Sequence, residues 1–164
     1  MLLWPDTVGD QTRMETKMKL TALMLCALLL SWNATAQMTP VGTWHTIDDE
    51  TKKPKAEVRI STNATGGLSG VVEKSLLVNP NTEPNCDLCT DDRKGKPKIG
   101  MEIIRGGKKA EGKEVWEDGK ILDPENGKNY SLRLTPIEGG KKLEVRGYIG
   151  APLLGRTQTW VRVN

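Results

Sequence analysis

The chain has 164 residues, enough for one domain with a substantial core and too few for two ordinary ones. Seventeen glycines, nine prolines and no phenylalanine favour short strands and turns over long helices. A net charge of +3, made of 24 basic and 21 acidic side chains alternating in sign, leaves no basic block, so no nucleic acid is expected as a partner.

Residues 1–36 read as an address. Lys17 and Lys19 precede an apolar run at 20–30, and Ala34 and Ala36 supply the small-x-small pattern before Gln37. A signal peptide cleaved before Gln37 is predicted, with a periplasmic or secreted product. The run of about eleven residues is short of the roughly 20 that span a bilayer, so no transmembrane anchor is expected in the mature chain. Residues 1–13 stand ahead of the charged region, which fits initiation at Met14 or Met18 and a mis-annotated extension before it. Cys26 follows Leu25, where lipoprotein processing wants a small residue, and is not read as a lipidation site. Cleavage removes Arg13, Lys17 and Lys19 together with Asp6, Asp10 and Glu15, so the mature charge is unchanged.

The mature domain, 37–164, reads as strands and turns. Residues 41–47 are good strand formers and 48–54 a polar turn. Residues 56–61 alternate, with Val58 and Ile60 opposite Glu57 and Arg59. The glycine-bearing loop 63–67 turns the chain into 68–74, as in a hairpin. From 79 to 98 regularity stops in a proline-rich, charged stretch that contains Cys86 and Cys89. A loop of that length is expected to be a functional lid or a mobile segment. A strand is predicted at 99–105, broken by Gly106 and Gly107, then short segments at 114–117 and 120–123 separated by Asp118 and Gly119. Pro124 early and Gly127 late make good turn chemistry before 128–134, which places Tyr130, Leu132 and Leu134 on one face. Turn residues 138–140 lead to the closing pair, 142–149 and 156–163. The predicted fold is all-β, a single antiparallel meander of about eight or nine strands closed into a barrel, because closure removes exposed edges, with a sandwich as the alternative.

Cys86 and Cys89 are the two cysteines of the mature chain, and an even pair in an oxidising compartment suggests a disulfide closing a very small loop. A redox couple and half of a zinc site are the rival readings, the latter needing ligands from His45, Asp87, Asp91, Asp92 or a second molecule. His45, the sole histidine, could be a general base but is more simply a packed or exposed strand residue. No nucleophile elbow, paired-histidine ligand set, phosphate loop or dinucleotide motif is present, so no catalytic residue, metal or cofactor is assigned.

Gly42 with Trp44, the Cys86/Cys89 spacing, the segment 121–130, and 143–150 followed by 155–160 together resemble the bacterial exported family of domain of unknown function 2147. The resemblance covers essentially 41–163. It implies a periplasmic or secreted lipocalin-like β-barrel and brings no activity, substrate or catalytic residue. Gly42 and Trp44 near the start, with Arg156 or Arg162 on the last strand, are similar to the lipocalin pattern in which a tryptophan plugs one barrel end beneath an arginine.

The closing pair carries the candidate ligand-binding surface: Arg146 and Tyr148 from one strand, with Arg156, Gln158 and Trp160 from the other. Facing inward, an arginine there would hold a carboxylate or phosphate by two hydrogen bonds while apolar walls take the tail. Facing outward, it would leave the core to Leu143, Val145 and Ile149. Alternation leaves both readings open. The expected function is non-enzymatic binding of a small amphipathic or acidic ligand. The alternative is a protein-interaction or envelope-maintenance module of unknown partner, and a redox or hydrolytic enzyme comes third.

Overall fold

Alternation of apolar and polar side chains builds eight strands: β1 Gly42–Ile47, β2 Pro54–Thr62, β3 Leu68–Ser75, β4 Glu102–Lys109, β5 Trp116–Asp123, β6 Lys128–Ile137, β7 Lys142–Tyr148 and β8 Arg156–Arg162. The structure, a computed structural model, describes residues 38–77 and 84–163. The predicted signal peptide and its cleavage point lie outside the described residues. Each strand pairs antiparallel with the next, and β8 returns to β1 through Trp44 opposite Arg162 and His45 opposite Val161, closing the barrel. Single 3-10 turns precede β7 and β8.

The interior follows from the registers. Trp44 faces Val58, Ile60 faces Gly70, Leu134 faces Val145 and Leu143 faces Trp160. Trp44, Val58, Ile104, Leu132, Leu134 and Leu143 are wholly buried, so the barrel is close-packed from its floor through its middle. Outward positions carry charge instead: Arg59 pairs with Glu73, Arg133 with Glu117, and Glu57 with both His45 and Lys74. This pattern is the reverse of the lipid-facing apolar band of a membrane barrel. Among the described residues no helix is long and apolar enough to cross a membrane.

Two details of the middle strands differ from the reading of the sequence. Gly106 and Gly107 do not end a strand, and Asp118 and Gly119 do not separate two, because β4 and β5 run through both sites. Gly106 pairs with Gly119, and a Cβ on Gly119 would lie 2.6 Å from the Gly107 nitrogen. The glycines let two backbones approach closely while Gly106 and Gly107 take positive φ, and β5 bulges at Asp118. In a strand these residues mark a bend as well as they mark a break.

The long β3–β4 connection is also ordered over its described part, 84–101. It lies on the outer wall, where Ile103 and Leu122 point away from the interior yet are buried. The Cys86 sulfur meets the Pro124 carbonyl at 3.5 Å, and the Leu88 carbonyl sits so close to Gly127 that a Cβ there would overlap it. This part of the connection is a docked cover on the wall, anchored by burial, and not a lid.

The topology sorts the connections into two ends. The floor holds Pro40, the 63–67 and 110–115 turns, and the turn before β7. The mouth holds the β1–β2 turn, the β3–β4 connection, the β5–β6 turn and the β7–β8 loop.

Candidate functional site

At the floor, Arg162 projects from the end of β8 over the Trp44 ring, with its guanidinium carbon 4.1 Å from the ring centroid. Its donors reach the carbonyls of Gly140 at 2.5 Å, Val41 at 2.9 Å and Thr39 at 2.6 Å. The Trp44 indole N–H donates to the Pro40 carbonyl at 2.7 Å. Burial pushes the Arg162 guanidinium below its usual pKa, and the carbonyl dipoles that surround it hold its charge. Arg162 ties the N-terminal approach, the β6–β7 turn and the first strand together, so the tryptophan and its arginine seal the floor.

At the mouth, the inner face of β8 changes character. Trp160 is buried and its indole N–H lies 3.5 Å from the Gln158 side-chain oxygen. The Gln158 amide donates to Asp49 of the β1–β2 turn at 2.8 Å, and Asp49 also takes the Arg156 guanidinium as an ion-pair partner. A polar chain therefore climbs from the apolar interior to the rim. Arg156 keeps 68% of its side-chain surface exposed, so this last link is a solvated ion pair worth about 0–1 kcal/mol. Beside it, Gly147 pairs with Arg156 on the same inner face and leaves its space to Tyr130, whose Cβ would lie 3.3 Å from a Cβ at 147.

The registers divide the sequence-derived residues. Leu143, Val145 and Gly147 face Trp160, Gln158 and Arg156 and point inward, whereas Arg146 pairs with Thr157 and Tyr148 with Ser131 on the outer wall. Arg156 and Gln158 thus stand toward the mouth with Trp160 below them in the interior, Trp44 lies at the floor, and Arg146 and Tyr148 are on the other side of the wall. Arg146 there donates to the carbonyls of Pro152 at 2.7 Å and Leu153 at 3.2 Å and to the Thr157 hydroxyl at 2.6 Å. Asp49 completes the mouth chain and is invisible to strand periodicity, because it lies in a polar turn 109 positions from Gln158.

Cys86 and Cys89 are joined as a disulfide, 0% and 1% exposed. The bond is shielded from solvent within the docked segment, consistent with a pair that pins it locally. Among the described residues no group of three metal-ligating side chains converges. His45 lies on the outer wall, 3.2 Å from Glu57, whose carboxyl is lowered chiefly by its hydrogen bond from Lys74. A shallow depression of about 250 Å³ on the outer wall, lined in part by Asp92, Arg93, Met101 and Arg105, is occupied by charges that pair with one another.

A family model described as an uncharacterized protein conserved in bacteria (DUF2147) matches residues 42–162. Among solved structures, the chain is similar to protein HP1028 from the human pathogen Helicobacter pylori, which is described as belonging to the lipocalin family. The two share 19% identity over 76% of this chain and 82% of that one, with a TM-score of 0.63. At that identity the likeness speaks for the fold alone: an all-β, lipocalin-like barrel. No curated protein matches in sequence.

Proposed function

We propose, from the premise that the chain belongs to the DUF2147 family of bacterial proteins, that it is exported with removal of residues 1–36 and binds a small acidic, amphipathic molecule at the barrel mouth. One observation carries the reading: the inner wall, apolar from the floor upward, ends in the Trp160, Gln158, Asp49 and Arg156 chain. Arg156 is the charge available to a ligand, because Arg162 is committed to three backbone carbonyls and an aromatic ring. A ligand carboxylate or phosphate exchanges for Asp49 at little loss, since the exposed ion pair is weak. Two parallel hydrogen bonds to the guanidinium then fix the head group. The close-packed lower barrel favours a short apolar portion resting against the mouth-side wall over a long chain threaded to the floor.

The test is calorimetric titration of the protein with short-chain alkanoates and alkyl phosphates. Saturable binding is expected, weakened by about tenfold or more in Arg156→Ala, consistent with loss of a charge-assisted pair of roughly 1.5–3 kcal/mol. Asp49→Asn is expected to tighten binding by removing the competing carboxylate. Equal affinity in wild type and Arg156→Ala would refute the assignment.

A further inference from the structure

The β7–β8 loop at the mouth rim presents apolar side chains to solvent. Leu153 is 87% exposed, Leu154 80% and Ile149 65%. Exposure to that degree on one short loop is unlike scattered surface leucines and marks a contact surface. We propose that this loop inserts into the interface of an anionic phospholipid bilayer, docking the barrel on its β5–β7 flank.

The backbone of the tip is prepared for an apolar phase. The Ala151 carbonyl accepts from Leu154 N–H at 3.1 Å, and the Pro152 carbonyl from Gly155 N–H at 3.1 Å. Arg146 takes the Pro152 carbonyl a second time and the Leu153 carbonyl as well. Pro152 has no N–H to satisfy. Inside lipid, unpaired backbone groups are penalised by several kcal/mol each, so a tip whose Ala151, Pro152 and Leu153 carbonyls are already paired enters more readily than an open loop. Protein partners make no such demand, since they can supply the missing hydrogen bonds.

The surrounding wall supplies complementary charge. Registers place Lys120, Ser131 and Tyr148 in one outer row and Arg133, Arg146 and Thr157 in the next. Lys120 has no carboxylate partner among the described residues, and Arg133 pairs with Glu117. In these two rows Lys120, Arg133 and Arg146 outnumber Glu117 and Asp118, and Glu144 stands one row farther toward the floor. The excess of cation is therefore confined to the part of the flank beside the tip, where Tyr148 is half-buried, an arrangement suited to phosphate head groups and the interfacial layer.

The test is co-sedimentation of the full chain with vesicles of phosphatidylcholine, alone or mixed with phosphatidylglycerol. Binding is expected to favour the mixture and to weaken with salt. The double variant L153S/L154S, which alters fully exposed positions, should lower the partition coefficient about tenfold or more, because two leucines no longer leave water. Arg146→Ala should weaken binding without removing apolar area, by freeing two carbonyls. Leu153→Trp should be quenched by brominated acyl chains beyond the wild-type level, since Trp44, Trp116 and Trp160 are buried and Trp4 and Trp32 contribute equally to both proteins. Equal pelleting of wild type and L153S/L154S would overturn the proposal, because binding would then come from elsewhere, such as the apolar run at 20–30. So would an unquenched Leu153→Trp, or a tip that serves to join two copies of the chain in sedimentation velocity.

Discussion

Two arginines on the inner face of β8 have opposite fates. Arg162 is half-buried and held by three carbonyls and the Trp44 ring, while Arg156 stands in solvent beside a single carboxylate. Arg162→Ala should therefore destabilise the barrel by about 2–4 kcal/mol, read as a shift in urea midpoint. Arg162→Lys should recover little, because a lysine cannot reach three divergent acceptors from one planar fork. Arg156→Ala should leave the midpoint within about 0.5 kcal/mol. The Gly42 and Trp44 spacing with a C-terminal arginine is visible in the sequence, but which arginine covers the ring is not. That choice depends on where β8 meets β1, and the pairing of Trp44 with Arg162 decides it.

Register is also what hides half of the mouth. Alternation within β7 and β8 sorts each strand's side chains into two faces, yet it says nothing about which face of one meets which face of the other. The loop between them sets Val145 opposite Gln158, which puts Arg146 and Tyr148 outside and Arg156, Gln158 and Trp160 inside. The β3–β4 connection shows the complementary difficulty, since its order comes from tertiary contacts that no periodicity announces. Arg93 is 4% exposed and binds Asp91, the Glu102 carbonyl at 2.9 Å and Asn129. Arg93→Ala should cost about 2–3 kcal/mol and expose the segment to proteolysis, because a carbonyl and a half-buried carboxylate lose their partner. The Arg93 guanidinium, by hydrogen bonding first of all, holds the Asp91 carboxyl well below the usual carboxylate range. A carboxyl lowered in the folded state stabilises fully above its unfolded value of about 4 and loses that contribution as pH falls towards the folded one. The stability gap between wild type and Asp91→Asn should accordingly be wide at neutral pH and narrow in strong acid, measured by urea titration. The buried disulfide in the same segment should resist reductant until the protein unfolds, so alkylation of Cys86 and Cys89 should follow global unfolding; rapid labelling under native conditions would show that the segment opens alone.

For the whole molecule, the architecture was the legible part. Strands of six to ten residues, joined mostly by glycine turns and carrying one apolar face each, have few ways to bury those faces other than closing on themselves, and the eight-stranded barrel is the result. How full such a barrel is cannot be read from alternation, because inward positions look alike whether they pack or line a cavity. Here they pack from Trp44 and Trp160 up to Leu134 and Leu132, which moves the proposed ligand to the rim, where Asp49 and the β7–β8 loop also lie. The measurement that tests this account most directly is native mass spectrometry of protein purified from a bacterial host, wild type beside Arg156→Ala, with each sample also weighed after denaturation. An excess mass in the wild type that disappears on denaturation and is absent from Arg156→Ala is the predicted result. A wild-type barrel that weighs the same before and after denaturation, and gains no mass from an added alkanoate or alkyl phosphate, would contradict it.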